Sequence, residues 1–479
     1  MFDEATAAVE GALAAGATYA DARVVSSETE ALHARNGVLE GLRRDESAGL
    51  GVRALIGSSW GFFATSDLGA AAVCRAGEEA AAIARASGRV RGPALELAEV
   101  EVVADHWESG WLEHPADVAL AEKGDLLVTA TATMAGVRGV SVGEADVSSW
   151  DTEKWFVSSQ GHRISQHIVE CGSAMSATAV GEHETQRRSW GGIGGRYGTR
   201  GYELVREADL AGNAGRVGEE AVALLSAPRC PEGVTDLILG PEQMGLQIHE
   251  SVGHAVELDR ILGWEAAFAG TSFLELGELG RFRYGSDLMN VTADATLPGA
   301  LGSFGFDDEG TRAGCVDIVR DGTWVGVLSG RDSAAMAGLP PGGMVRGDGW
   351  ARLPIVRMTN VGILPGDSSL PEMIADTGDG IYMETNRSWS IDDKRLNFQF
   401  GCEVAWEVKG GRLGRLLRNP TYTGITPQFW ASLDRLGGTN EWIFWATPNC
   451  GKGQPLQWGH TGHPAVPARF RGVRVGVRG

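Results

Sequence analysis

Six cysteines in 479 residues, none of them in a CxxC pair, are too few and too scattered to staple a fold. That scarcity argues against a disulfide-framed secreted module and makes a reducing cytoplasm the expected compartment. Also missing is any apolar run long enough to cross a bilayer. The first residues, Met1-Phe2-Asp3-Glu4-Ala5, carry acids where an export signal needs basic residues. Neither a membrane span nor export is expected. Positive charge is in deficit as well: 42 Lys and Arg against 62 Asp and Glu leave a formal charge of −20. A nucleic-acid binder needs a basic stripe, and the densest basic run, Arg412 to Arg418, is short, so direct nucleic-acid binding is disfavoured.

What is present is a globular composition, 43% hydrophobic, in a chain longer than one core usually supports, so two domains are expected. Residues 3–15 have the spacing of an amphipathic helix whose alanines suit tight packing. Asn36-Gly37 is a hairpin signal joining Glu30–Arg35 to Val38–Arg43. Ser66-Asp67 is placed to cap a helix running to about Arg85, and residues 115–136 read as another long helix. Val140–Ser148, Lys154–Ser159 and Arg163–Val169 read as strands, and a helix is expected near Asp209–Ser226. The prolines of Ala227-Pro228-Arg229-Cys230-Pro231-Glu232-Gly233 end that helix and mark the boundary. The fold class is therefore α+β. Residues 1–226 form an amino-terminal domain with an antiparallel sheet and long helices, expected to control substrate access or dimerisation. Residues 234–479 form a β-rich domain that carries the chemistry.

That chemistry centres on His249-Glu250-Ser251-Val252-Gly253-His254, two imidazoles around a carboxylate in an apolar helical segment. Zinc accepts neutral imidazole nitrogens, and a hydrolytic site keeps one position open beside about three protein ligands. A neighbouring carboxylate such as Glu250 can take a proton from water and return it to a leaving amine. In the common zincin motif the two His lie four apart, about 40° from each other around the helix. Here they lie five apart, which an ideal α-helix separates by about 140°. The spacing therefore predicts a π-type wide turn over 249–254, with Gly253 tolerating the distortion.

The third ligand is to be sought among the remaining His, Cys and carboxylates. Cys450 stands out in Thr447-Pro448-Asn449-Cys450-Gly451-Lys452-Gly453, a glycine-bearing loop in which a nearby Lys favours the thiolate. Cys402 reads as a strand residue, and Cys74 lies on an Ala-rich helix. Trp430, Trp442 and Trp445 form an aromatic group before Cys450, read as packing that positions the ligand loop.

These residues resemble the TldD/PmbA family of zinc metalloproteases, also called modulators of DNA gyrase. The resemblance runs essentially end to end. It rests on His249 to His254 followed by Glu257, on Arg357-Met358-Thr359-Asn360 with Pro365-Gly366-Asp367, and on Cys450-Gly451-Lys452-Gly453-Gln454. It extends to Asn36-Gly37-Val38-Leu39-Glu40-Gly41, Gly49-Leu50-Gly51-Val52-Arg53 and Trp60-Gly61-Phe62. The resemblance implies Zn2+ held by His249, His254 and Cys450, with Glu250 as general base. It also implies the active, metal-bearing branch, working as a homodimer or as a heterodimer with a metal-free PmbA/TldE-like homologue. One departure is Ile391-Asp392-Asp393-Lys394-Arg395, where the family leads one to expect a smaller, Gly-richer segment; it bears on the substrate groove rather than the metal.

Further candidates surround this core. Glu257, one turn beyond His254, can bond a ligand His or simply lie on the helix surface. His460 and His463 can orient substrate, Arg357 and Asn360 can bind a peptide backbone or fix a turn, and Tyr422 can donate to an oxyanion or pack in the core. The reading is a zinc metallopeptidase that hydrolyses amide bonds in unfolded or extended peptides. Its rivals are a pathway-specific hydrolase freeing a small product from a peptide or carrier, and a regulatory subunit with a structural metal.

Overall fold

A computed structural model describes residues 1–476 apart from 91, 93, 193 and 269. The amino-terminal half is built on an eight-stranded sheet. Its main path runs Ser59–Thr65, Val38–Ile56, Tyr19–Arg35, Val140–Ser158, Arg163–Val180 and Ala104–Glu108. Neighbours are antiparallel except the last pair, which is parallel. Thr185–Trp190 and Arg196–Gly198 also pair with Arg163–Val180. Asn36 and Gly37 both take positive φ, 47° and 80°, which turns the first hairpin tightly enough to match strand twist.

The strands are longer than the hydrophobic alternation suggested. Val140–Ser148 and Lys154–Ser159 belong to one continuous strand, Val140–Ser158, whose polar middle is paired on both edges. Asp67 does not cap the following helix: its carboxylate accepts the Gly69 amide in a turn, and the helix is Ala70–Ser87. The helix expected over 115–136 is Leu120–Gly136, preceded by a separate short turn at Pro115–Asp117.

Two helix pairs cover the sheet. Phe2–Ala14 and Ala70–Ser87 approach so closely that a Cβ on Gly77 would sit 2.0 Å from the Ala8 carbonyl oxygen. Their small residues close a core over Val24, Leu50 and Val52. Leu120–Gly136 and Leu210–Ser226 cover Leu32, Val147 and Met175, with Asp209 capping the second helix through the Gly212 amide.

In the second half, Asp379–Ile391, Gly233–Leu239, Ala468–Val475, Thr421–Ile425 and Asn397–Lys409 pair in that order. Asp379–Ile391 also pairs with Asn397–Lys409, closing the five strands into a ring. Leu237, Leu239, Met383, Phe398, Phe400, Tyr422 and Phe470 contribute to its core. From Leu239 the chain turns at Gly240 into a helix, Pro241–Ile248, with proline at the first helical position, where a missing N–H costs nothing. A separate hairpin, Ile443–Lys452 with Gln457–Ala465, lies against this helix. Buried ion pairs tie the halves together: Arg23 to Asp308 at 2.5 Å, Arg53 to Glu309 at 3.0 Å and Arg188 to Glu403 at 3.5 Å. Among the described residues no helix is long and apolar enough to cross a membrane.

Candidate metal centre

The helix Pro241–Ile248 runs directly into a wide turn, His249–Gly253, in which the His254 amide reaches back five residues to the His249 carbonyl at 3.2 Å. This is the distortion the five-residue spacing predicts, and it brings the two imidazole centroids to 4.8 Å. Two neighbours support the widened backbone. Tyr284 donates its hydroxyl to the Ser251 carbonyl at 2.6 Å, and Trp430 Nε1 donates to Ser251 Oγ at 2.9 Å. Gly253 serves by size rather than by backbone freedom, because a Cβ there would lie 2.1 Å from Met358 Sδ.

Cys450 lies on a strand of the Ile443–Lys452 hairpin rather than in a loop, just after an irregularity that begins at Thr447. Its sulfur is 3.7 Å from His254 Nε2, and donor atoms of His249, His254 and Cys450 all lie within 4.8 Å of one another. Arg357 fixes the strand by donating to the carbonyls of Cys450 and Gln457.

The hydrogen-bond network assigns the ring tautomers. His463 Nδ1 donates to the Val361 carbonyl at 2.9 Å, so its Nε2 is an acceptor, 2.7 Å from His249 Nδ1 and 3.1 Å from the Thr461 hydroxyl. His249 therefore carries its proton on Nδ1 and leaves the Nε2 lone pair free. His254 donates from Nδ1 to Glu257 Oε2 at 2.9 Å, which frees its Nε2 in the same way. Glu257 is in turn paired with Lys452, whose ammonium also bonds Asp259 and the Val356 carbonyl. The Lys expected to favour the thiolate is thus engaged chiefly with carboxylates.

Burial dominates the protonation of these groups. It holds His249 well below the ordinary imidazole range, helped by His463 and His254, and lowers His254 to about 3 against the opposing pull of Glu257. His463 falls to about 4 for the same reason. Burial raises the Cys450 thiol, partly offset by Arg357. Two neutral imidazoles with free lone pairs and a buried thiol only partly offset by Arg357 and Lys452 make a soft N,N,S donor set, which fits zinc.

Glu250 is buried beside this cluster, and desolvation raises its carboxyl, opposed by Arg395. Arg395 Nη1 donates to Glu250 Oε2 at 2.6 Å. Sequence reasoning missed this contact; the unexpected charge of the 391–395 segment was its only signal.

The other candidates lie elsewhere. Tyr422 is fully buried with its hydroxyl between Gln243 and Gln247, so it cannot donate to an oxyanion from there. Asn360 accepts the Gly302 amide and donates to Asp294 and Ser303, fixing loops. His460 bonds Glu170 across the domain junction. The three tryptophans do not form one group: Trp430 supports Ser251, Trp442 bonds the Ile363 carbonyl, and Trp445 packs on His463. A second cluster, His114, Asp151 and His167, is a hydrogen-bonded triad. His114 Nδ1 accepts the Ala116 amide, so its Nε2 bears the proton and offers no lone pair.

Models of the PmbA/TldA metallopeptidase domains match the chain in series: domain 1 at residues 20–84, the central domain at 113–227 and the C-terminal domain at 232–476. A protein of Methanothermobacter thermautotrophicus named a metalloprotease is 31% identical over 88% of each chain. A zinc metalloprotease TldD homolog of Saccharolobus solfataricus is 27% identical over 40% of this chain and 42% of its own. Two solved structures share the fold. A Thermotoga maritima protein described as a modulator of a DNA gyrase has a TM-score of 0.77 at 16% identity and covers 99% of both chains. TldE from Thermococcus kodakarensis has a TM-score of 0.70 at 14% identity and covers 98% of both. With three successive domain models matched and a relative this similar along most of its length, the chain belongs to the PmbA/TldD family.

Proposed function

We propose that this protein is a zinc metallopeptidase that cleaves amide bonds in unfolded or extended peptides, with His249, His254 and Cys450 as metal ligands and Glu250 as general base. The observation that carries the reading is the convergence of donor atoms of two imidazoles and a thiol within 4.8 Å of one another, beside a widened turn that also carries Glu250. The names of its relatives, metalloprotease and zinc metalloprotease, support the same class. Bound there, zinc would supply Lewis acidity to a scissile carbonyl and acidify water.

Glu250 takes a proton from the attacking water and delivers it to the leaving nitrogen. Glu257 and His463 hold the two ligand imidazoles in the required tautomer and orientation. Arg357 holds the Cys450 strand. Three donors leave a fourth position for chemistry, which favours catalysis over a structural metal. The four central side chains are each no more than 8% exposed, so the site admits a thin, extended chain more readily than a folded surface. In this reading residues 234–479 carry catalysis and residues 1–226 control access and dimerisation. The similarity to TldE supports a pairing with a homologue of that kind, with a homodimer as the alternative. Six free cysteines suit a reducing cytoplasm.

The test is zinc content per chain measured beside cleavage of unstructured peptides, for the natural chain and Glu250→Gln. One zinc in both with cleavage only in the natural chain supports the proposal. Loss of zinc in neither Cys450→Ala nor His254→Ala would refute the ligand set.

A further inference from the structure

Arg395 sits at the tip of the hairpin between Asp379–Ile391 and Asn397–Lys409, and this tip is clamped on three sides. Thr271 and Phe273 donate their amides to the carbonyls of Asp393 and Lys394, at 3.0 and 2.9 Å. Thr426 Oγ1 donates to the Arg395 carbonyl at 2.7 Å, and Asp392 closes the turn on the amides of Leu396 and Asn397. The backbone of Arg395 is held at φ 65°, a left-handed conformation that costs a non-glycine residue about 1–3 kcal/mol. The fold thus holds an arginine over Glu250 where a glycine would be less strained.

The guanidinium is only partly used. Nη1 bonds Glu250 Oε2, Nε is buried without a hydrogen-bond partner, and the side chain remains 15% exposed. This arrangement occupies part of the base. The guanidinium takes up Oε2 and leaves Oε1, so Glu250 offers both oxygens to water only when the pair parts. Another carboxylate competes best for a planar guanidinium fork. Two neighbouring acids are committed, Glu257 to His254 and Lys452 and Asp392 to its own turn. A substrate that brings its own carboxylate supplies the competitor.

We propose that Arg395 is a carboxylate-binding specificity residue: a substrate carboxylate near the scissile amide draws the guanidinium off Glu250 and thereby frees the base. The proposal rests on the reading of Glu250 as general base. The carboxylate is either the chain terminus of the peptide or an Asp or Glu side chain.

The test uses the zinc-loaded full chain, Arg395→Gln and Arg395→Lys, with zinc content verified in each. The probes are fluorescent peptides of one unstructured sequence in three forms: free carboxyl terminus, terminal amide, and terminal amide with an added internal Asp. Cleavage is read as kcat/KM, and binding is read separately by anisotropy on Glu250→Gln with and without Arg395→Gln. The expected result is a preference of about tenfold or more for a carboxylate-bearing peptide over the plain amide, the worth of one charge-assisted pair. The preference falls to near one in Arg395→Gln and is partly retained in Arg395→Lys. The free-acid and internal-Asp arms identify the source of the carboxylate. If nothing is cleaved but binding shows the Arg395-dependent preference, the peptidase reading fails and the carboxylate site stands. Equal binding of acid and amide, a preference that survives Arg395→Gln, or no binding of any form overturns the proposal.

Discussion

His463→Phe separates what holds the proposed metal ligands from what merely packs beside them. The His463 ring lies 4.7 Å from the His249 ring at 76° and 5.7 Å from Trp445, so phenylalanine preserves most of the packing. It deletes the Nδ1–H that serves the Val361 carbonyl and the Nε2 that accepts from His249 Nδ1. The first loss weighs equally on metal-free and metal-loaded protein and therefore appears in stability. The second weighs on the loaded state alone. Without metal, His249 can move its proton to Nε2; with metal on Nε2, the proton must stay on a buried Nδ1 that has lost its acceptor. An orphaned buried donor costs about 1–3 kcal/mol. The zinc Kd should rise roughly 5- to 150-fold, in the range of other outer-sphere ligand partners. Competition with a chelator of known affinity, at one pH, measures the ratio, and His463→Gln, whose amide oxygen can accept the same proton, should recover part of it. An unchanged Kd in His463→Phe would refute the tautomer argument and with it the assignment of Nε2 as the ligating atom.

Gly253→Ala forces a Cβ to 2.1 Å from Met358 Sδ in a buried setting, and should destabilise the protein by about 1–3 kcal/mol in denaturant titration. Adding Met358→Ala opens the space, so the double variant should lose less than the sum of the singles; strict additivity would show that the glycine is needed for backbone reasons instead. At the domain junction, burial would raise the Asp308 carboxyl, but Lys154, Arg23 and the Gly347 amide together hold it well below the usual carboxylate range. A depressed carboxyl contributes stability that is present above its unfolded value, about 3.9, and is lost as pH falls toward the folded one. Denaturation midpoints of Asp308→Asn should consequently fall less steeply below about pH 4 than those of the natural chain, and parallel curves would count against this ion cluster.

Much of the fold was legible because local rules suffice for it. Asn36-Gly37 demands a tight hairpin, the prolines that follow Ser226 end a helix, and the alanines of residues 3–15 announce close helix contact. Strand lengths were not legible, since the polar stretch from Ser149 to Glu153 carries no apolar alternation and owes its extended form to neighbours on both sides. The Asp67 turn likewise competes with capping through the same carboxylate, and nothing local says which wins.

The sequence by itself determined the wide turn, because a five-position step between two imidazoles that share a face requires a wider turn than the α-helix gives, and it named the residue types that can bind zinc. It also indicated the family through motifs in fixed order. Only the tertiary structure decided how those residues meet. Cys450 comes within 3.7 Å of His254 from 196 positions away, and His463 hands the His249 proton its acceptor across 214. Arg395 reaches Glu250 from a hairpin 145 residues on. Long-range hydrogen bonds of this kind depend on where closed sheets and hairpins set backbone atoms in space, and no periodicity along the chain encodes that.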